Sequence, residues 1–388
     1  MRIGVDATCW VNRRGYGRFA REIVAAMVRL APEDEFICFL DAASREEFLL
    51  DASNVRAVVV GGLRVSPARA ASATGNRSIS DMLRMTHAVR SERLDAFFSP
   101  SVYTYYPLPL GLPAVVTIHD AIPERFPKLV FPSQKARLFW RLKMRLALFQ
   151  SRHILTVSEF AARDLERTLH VARSRITVAL EAPSADYKPR TTPSTVTDNL
   201  PSGRRWFTYV GGFSPHKNVT VAVRAHAKVA RELGDSAPYL LLVGTREQDD
   251  FYTDVPAIQK TIDIEGMSSL VKWTGFLDDE ELSRIHSGSI ALLLPSECEG
   301  FGLPAVEAAA CGSPVIATKE SPLPELLEGC GLFVTPGDGR GLPAAMHRMA
   351  TDTEFHKSCA RNALQRAGQL SWEKGASAAL DAIHRTAA

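Results

Sequence analysis

Two glutamates, Glu299 and Glu307, stand eight residues apart around a Gly-Phe-Gly-Leu-Pro turn, inside the stretch Ser296 to Thr318, SECEGFGLPAVEAAACGSPVIAT. The apolar run Ile290 to Pro295 leads into it and reads as a buried strand. Pro304 opens a helical pattern and Gly312 ends it; proline suits a first helical position because its missing N–H had no partner there. The pattern therefore predicts a strand, a glycine turn and a helix N-terminus, with a carboxylate on each side. Free N–H groups and the positive end of the helix dipole favour an anion such as a phosphate. The carboxylates cannot favour that anion, but they accept hydrogen bonds from hydroxyls. A ligand with both phosphates and many hydroxyls fits, and a nucleotide sugar is one.

Three further constellations carry chemistry. In Tyr209-Val-Gly-Gly-Phe-Ser-Pro-His-Lys217-Asn218 a strand ends, Gly211 and Gly212 follow, and Lys217 stands at the start of a helix. A lysine there is a point charge suited to phosphate, or a solvated residue of a first turn. Val115-Val-Thr-Ile-His119-Asp120 is an apolar strand ending in a polar pair. A neutral imidazole there can hydrogen-bond a hydroxyl, with Asp120 orienting it or capping the next turn; a histidine in such a place is also often structural. Gly15-Tyr16-Gly17-Arg18 precedes a helix, and with Ala20 it fits a dinucleotide glycine pattern. That pattern sits directly after a strand, whereas Ala7 to Arg14 intervene here, which argues against a nicotinamide oxidoreductase.

On these residues the chain resembles family 4 of the retaining glycosyltransferases, of GT-B fold. The Glu-x7-Glu spacing is weak evidence alone; EGFGLPAVEAAACGSPVIAT as one block is strong, and THDAIPERFP and the Lys217-Asn218 motif extend the resemblance over nearly the whole chain. It implies two doubly wound Rossmann-like domains facing a central cleft. It also implies that Glu299 and His119 act on the donor sugar and Glu307 on the ribose. The backbone of Gly300, Phe301, Gly302 and Leu303 would meet diphosphate and sugar, and the Gly15–Gly17 loop would lie near the donor phosphates. Tyr16, Arg18 and Asp120 would be acceptor or orienting groups. Gly275-Phe-Leu-Asp-Asp-Glu-Glu-Leu282 resembles the loop beside the nucleotide base, with the backbone near Phe276 and Leu277 reading it. Many members carry Arg where this chain has Gly212, which places more of the diphosphate charge on Lys217 and the helix dipole. The chain has no Asp-x-Asp triplet, so no metal cofactor is expected. The segments GGFSPHKN and TIHDAIPERFP look most like bacterial mannosyl- and related transferases of surface polysaccharide. The implied reaction moves a hexose from a nucleoside diphosphate sugar, GDP-mannose first and UDP-hexose second, to a glycan or lipid-linked glycan acceptor. The alternative of a non-catalytic partner subunit is disfavoured because Glu299, Lys217 and His119 are all intact.

These residues need elements to position them, and 388 residues suffice for two domains with full cores. Short β-type runs (Arg2–Val5, Glu35–Leu40, Val55–Val60, Ala96–Ser99, Ala114–Ile118, His153–Val157) alternate with helical patterns (Arg18–Leu30, Ile79–Glu92, Glu159–Leu169), which argues for a helix-covered parallel sheet. Ala182 to Gly203, rich in Pro, Ser and Thr, reads as a linker, after which the pattern restarts at Trp206–Val210, a helix from Val219, and strands Tyr239–Val243 and Val271–Thr274. The predicted organisation is a domain over 1–182, a linker over 183–203, a nucleotide-sugar domain over 204–370, and a helix over 371–388 that, by the resemblance, returns to the first domain. The net charge of +3 argues against nucleic acid as a partner. Six cysteines without a C-x-x-C pair suggest reduced thiols, and no apolar run approaches the ~20 residues of a membrane span. A cytoplasmic protein is expected. Lys135 to His153 carries six Lys or Arg and no acid, interleaved with large apolar residues, and Arg137, Arg141 and Arg145 recur at helical spacing. That stretch reads either as a peripheral contact with anionic lipid or as a helix whose apolar face is core. Gly61 to Ser80 is a polar, Arg-bearing loop that is a second candidate for acceptor contact.

Overall fold

In the computed structural model the described residues are 1–13, 15–63, 78–192, 194, 196, 200, 204–246 and 252–388. Residues 64–77 of the Gly61–Ser80 loop, and 193, 195, 197–199 and 201–203 of the linker, lie outside them. The chain divides into two compact units, Met1–Glu181 with Ser371–Ala388, and Ala182–Leu370.

The first unit holds a parallel sheet of β1 (Arg2–Asp6), β2 (Glu35–Leu40), β3 (Val55–Val59), β4 (Ala96–Ser99), β5 (Ala114–Thr117), β6 (His153–Thr156) and β7 (Ile176–Val178), in the order β3-β2-β1-β4-β5-β6-β7. The second holds β8 (Trp206–Val210), β9 (Tyr239–Val243), β10 (Val271–Gly275), β11 (Leu292–Leu294), β12 (Val315–Thr318) and β13 (Gly331–Val334), in the order β10-β9-β8-β11-β12-β13, again parallel. The central strands AFFS, AVVT and VIAT are buried along their whole length, as expected where helices cover both faces of a parallel sheet. Strand order reverses between β1 and β4 in one unit and between β8 and β11 in the other. Loops at the carboxyl ends beside such a reversal form a crevice for ligand.

The alternation read from the sequence is present, with shifts at the ends. The run Ile290–Pro295 keeps its ladder only over Leu292–Leu294, and Pro295 has no N–H to extend it. The helix expected from Arg18 begins at Gly15, so the glycine pair sits in its first turn. A Cβ on Gly17 would collide with the Asn12 carbonyl oxygen, so only glycine lets the preceding loop fold against this turn. Arg21 fixes that loop further by donating to the carbonyls of Trp10 (2.5 Å) and Asn12 (2.9 Å). The last helix, Trp372–Ala387, packs in the first unit against the helix Gly15–Leu30. The Trp372 ring lies 6.1 Å from Phe19, His384 bonds Asp34 at 2.7 Å, and Arg152 donates to the Thr386 carbonyl at 3.1 Å.

Candidate functional site

In the second unit, the loops leaving β8 and β11 meet at the strand reversal. Gly211 has φ +147, and the Tyr209 hydroxyl donates to the Gly212 carbonyl at 2.5 Å, which folds the glycine pair back over its own strand. The turn Pro215–Lys217 follows, and Asn218 closes it at φ 55, a conformation asparagine tolerates better than most residues. Asn218 then joins the two loops: its amide donates to the Pro295 carbonyl (3.2 Å) and the Glu297 carboxylate (2.8 Å), and the Glu297 N–H donates to the His216 carbonyl (2.8 Å). This lacing carries Lys217 to Glu299. Lys217 Nζ stands 2.7 Å from Glu299 Oε1, and the Ser296 hydroxyl donates to the same oxygen at 2.5 Å. Glu299 is 7 % exposed, and a carboxylate so buried needs such partners.

Glu299 leads straight into the helix Leu303–Ala310. Gly302, at φ +89, is its N-cap; no side chain caps it, and Pro304 sits in its first turn. An ordinary helix start is closed by Ser, Thr, Asp or Asn, as Asp278 closes the helix Asp279–Gly288. This one has no side-chain cap: Pro304 carries no N–H and the Ala305 N–H donates to the Gly302 carbonyl at 2.8 Å, which leaves the dipole and the backbone of the Gly302–Leu303 turn to meet an anion. Glu307 is buried on the same helix. Phe276 is 55 % exposed just after β10, while Leu277 packs inward. Lys217, Glu299, the Gly300–Leu303 turn and Glu307 thus lie on two loops and one helix joined by named bonds. Ser296 and Glu297 carry no role in the sequence reading, and Asn218 enters it only as part of the lysine motif. Ser296, three residues before Glu299, and an asparagine beside the lysine were the available signals.

In the first unit His119 follows β5. Its ring meets Phe19 edge-on, centroids 4.9 Å apart. Both ring nitrogens are sealed from water, although part of the residue remains exposed, and neither has a hydrogen-bond partner among the described residues. Burial pushes the imidazole down to about 3, so it is neutral at ordinary pH. Asp120 accepts from the Ile122 N–H at 2.9 Å, which is the turn-capping role rather than a bond to the imidazole. Tyr16 accepts from Asn12 at 2.5 Å and stacks on Tyr103 at 5.1 Å, joining the loop after β1 to the loop after β4. Arg18 is half-buried in the same helix turn as Tyr16 and Gly17, and Gly15 opens that turn with free space around it. Glu124 is pushed up to about 7, chiefly by burial, against the Trp140 indole N–H that donates to it at 2.5 Å and with the Asp120 charge raising it further. Among the described residues no group of three or more His, Cys, Asp or Glu could hold a metal ion.

The buried histidines have a consequence for stability. His286, fully buried in the helix Asp279–Gly288, is also pushed down to about 3 by burial. An unfolded chain protonates histidine near ~6.5. Because the folded values are lower, stability is complete above that pH and falls as pH drops towards the folded values. Thermal melts from about pH 7.5 to about pH 5 should show this loss, and His286→Leu should reduce it. An unchanged difference between the two proteins across that range would mean His286 is not buried in its neutral form.

Two doubly wound parallel sheets, with a carboxylate–lysine pair and a helix N-terminus without a side-chain cap at one strand reversal, are the architecture of a GT-B glycosyltransferase. Comparison places the chain in a family. Residues 13–179 match the model described as Glycosyltransferase Family 4, and residues 196–366 match that described as Glycosyl transferases group 1, so the chain belongs to this glycosyltransferase family. It is similar to O-antigen chain mannosyltransferase B of Escherichia coli, 27% identical over 297 residues, which are 75% of this chain and 74% of that protein. It is also similar to O-antigen chain mannosyltransferase RfbU of Salmonella typhimurium, 25% identical over 244 residues, 63% of this chain and 62% of that one. Among solved structures, sucrose-phosphate synthase from Thermosynechococcus elongatus superposes with a TM-score of 0.77 at 19% identity, over 99% of this chain and 98% of that one; this likeness speaks for the fold. No helix among the described residues is long and apolar enough to cross a membrane.

Proposed function

We propose that this chain is a retaining mannosyltransferase that takes mannose from GDP-mannose, without a metal ion, and attaches it to a hydroxyl of a glycan or lipid-linked glycan. The observation that carries the reading is the Lys217–Glu299 pair, 2.7 Å apart, beside the uncapped helix that bears buried Glu307. Cation and open N–H groups suit a diphosphate; the two carboxylates suit hydroxyls of sugar and ribose. The mannose assignment is supported by the relatives named as mannosyltransferases, at 25–27% identity. The bond from the anomeric carbon to the phosphate oxygen breaks, and its electron pair leaves with the diphosphate towards Lys217 and the helix N-terminus. The acceptor oxygen bonds the same face of that carbon and gives its proton to the departing phosphate oxygen. Preorganised donors aimed at developing negative charge supply the rate. Glu299 holds a hydroxyl of the sugar and the backbone near Phe276 and Leu277 meets the base; in the first unit, neutral His119 has the chemistry to hydrogen-bond a substrate hydroxyl.

Glu307→Ala should weaken GDP binding by about ten- to a hundredfold, the ~1.5–3 kcal/mol of hydrogen bonds to a charged group. Calorimetry giving equal GDP affinity for both proteins would remove Glu307 from the ribose. Tighter binding of UDP than GDP would move the donor to a UDP-hexose. The product should retain the donor's anomeric configuration by NMR, and EDTA should leave the rate unchanged. An inverted product, or manganese-dependent rescue after chelation, would overturn those parts.

A further inference from the structure

We propose that the helix Gln134–Gln150 is a docking element for an anionic lipid bilayer, and that it holds the first unit against the surface in which a lipid-linked acceptor is anchored. The second half of this inference rests on the function proposed above; the first does not.

The helix has two apolar faces. Trp140, Met144 and Ala147, at helical spacing, are buried in the first unit. Leu138, Phe139, Leu142 and Phe149 share another face and are 55 %, 42 %, 52 % and 82 % exposed. Single exposed apolar residues are ordinary, but four on one helical stripe need a cover. Leu110, 91 % exposed, follows two residues after Leu108, whose N–H (3.1 Å) and carbonyl (2.9 Å) are bonded by Gln150 at the helix end. Arg141 and Arg145 are exposed along one margin of the stripe and Lys135 at its N-terminal end, 5.9 Å from the Phe139 ring, whereas Arg137 is half-buried; no Asp or Glu occurs between Arg125 and Glu159. An apolar stripe edged by cations suits the headgroup boundary of an anionic membrane, where the side chains enter the acyl layer and the cations meet phosphates. A second copy of this face would set cations against cations, which argues against a homodimer as the cover.

The inner face explains why docking would matter here. Trp140 donates to Glu124, which stands in the short helix just after His119 and Asp120. Lys143 donates to the Tyr103 carbonyl at 2.9 Å, and Tyr103 stacks on Tyr16. The same helix that turns leucine and phenylalanine outwards therefore holds the loops after β4 and β5, about one helix diameter, ~10 Å, away.

The test is sedimentation with vesicles of phosphatidylcholine alone and of phosphatidylcholine with about 30% phosphatidylglycerol, at low salt. The wild type should pellet with the anionic vesicles and not with the neutral ones. Lys135→Gln/Arg141→Gln/Arg145→Gln should weaken that binding on the order of a hundredfold, about fivefold for each cation removed. Phe139→Ser/Leu142→Ser/Phe149→Ser should weaken it comparably, since each side chain leaves the acyl layer. Both variants should keep the wild-type melting temperature and GDP affinity. No binding of the wild type to anionic vesicles overturns the proposal. So does equal binding of wild type and charge variant, or a wild-type dimer in sedimentation velocity that the serine variant dissolves. A wild type that pellets with lipid but binds no nucleotide would leave docking standing and sink the transferase reading.

Discussion

Glu299→Gln should lower kcat by about two to three orders of magnitude while GDP affinity stays the same or rises. The reason lies in its partners. The Glu299 carboxylate shares one oxygen between Lys217 at 2.7 Å and Ser296 at 2.5 Å. Glutamine keeps the volume and can keep the Ser296 bond, but it loses the charge that half-neutralises Lys217. With no sugar attached, GDP meets a lysine freed to face its phosphates. The full donor instead loses a strong hydrogen-bond acceptor to a sugar hydroxyl at the point of transfer. Lys217→Ala should behave differently: it removes the cation paired with Glu299 and leaves that carboxylate buried without this counter-charge. It should lose GDP affinity and rate together, at a cost typical of breaking a partly buried ion pair. The double substitution should cost less than the sum of the singles, because neither partner then strands the other. Initial rates with saturating donor and calorimetry with GDP separate these outcomes. An equal loss of GDP affinity and kcat in Glu299→Gln would show that Glu299 serves the nucleotide, not the sugar.

Much of the fold was legible because the strands of a doubly wound sheet are buried on both sides. Runs such as Ala96–Ser99 and Tyr239–Val243 leave no polar alternative, and the glycine, proline and serine between them mark the turns. What escaped were short or half-exposed pieces. Ile176–Val178 is a three-residue edge strand, and Gly331–Val334 is half-exposed over its first three residues; neither is long enough for periodicity to decide. The helix at Gly15 starts before its apolar pattern does, because Gly17 is there for the Asn12 carbonyl and not for propensity. At the candidate site the sequence pointed to Lys217, Glu299 and Glu307 through spacing on known local elements. It gave no role to Asn218, though this residue stood in the lysine motif, or to Glu297; their bonds join loops some 80 residues apart and exist only once β8 lies beside β11. The basic helix was ambiguous for a related reason. Composition shows that a helix is apolar and cationic, but only packing shows that Trp140, Met144 and Ala147 fill the core and leave Leu138, Phe139, Leu142 and Phe149 outside.

His119→Ala should reduce kcat by about a hundredfold, the low end of what a positioned hydrogen-bonding group contributes. His119→Asn should recover part of that loss. The argument turns on protonation. A histidine working as a general acid or base titrates near neutrality, and its rate profile shows a limb there. Here burial holds the imidazole neutral down to about 3, and the ring lies edge-on to Phe19 with both nitrogens shielded from water. Such a group can offer one N–H and one lone pair to sugar hydroxyls, but it does not gain a proton between pH ~5 and ~8. Asparagine offers the same two functions with no titration at all. Three measurements follow from this: kcat against pH for wild type, His119→Ala and His119→Asn. The wild-type profile should lack a limb near ~6.5, and the asparagine variant should run parallel to it at a lower level. A wild-type limb in that region which both variants abolish would assign His119 a proton-transfer role, and the neutral positioning role argued here would be wrong.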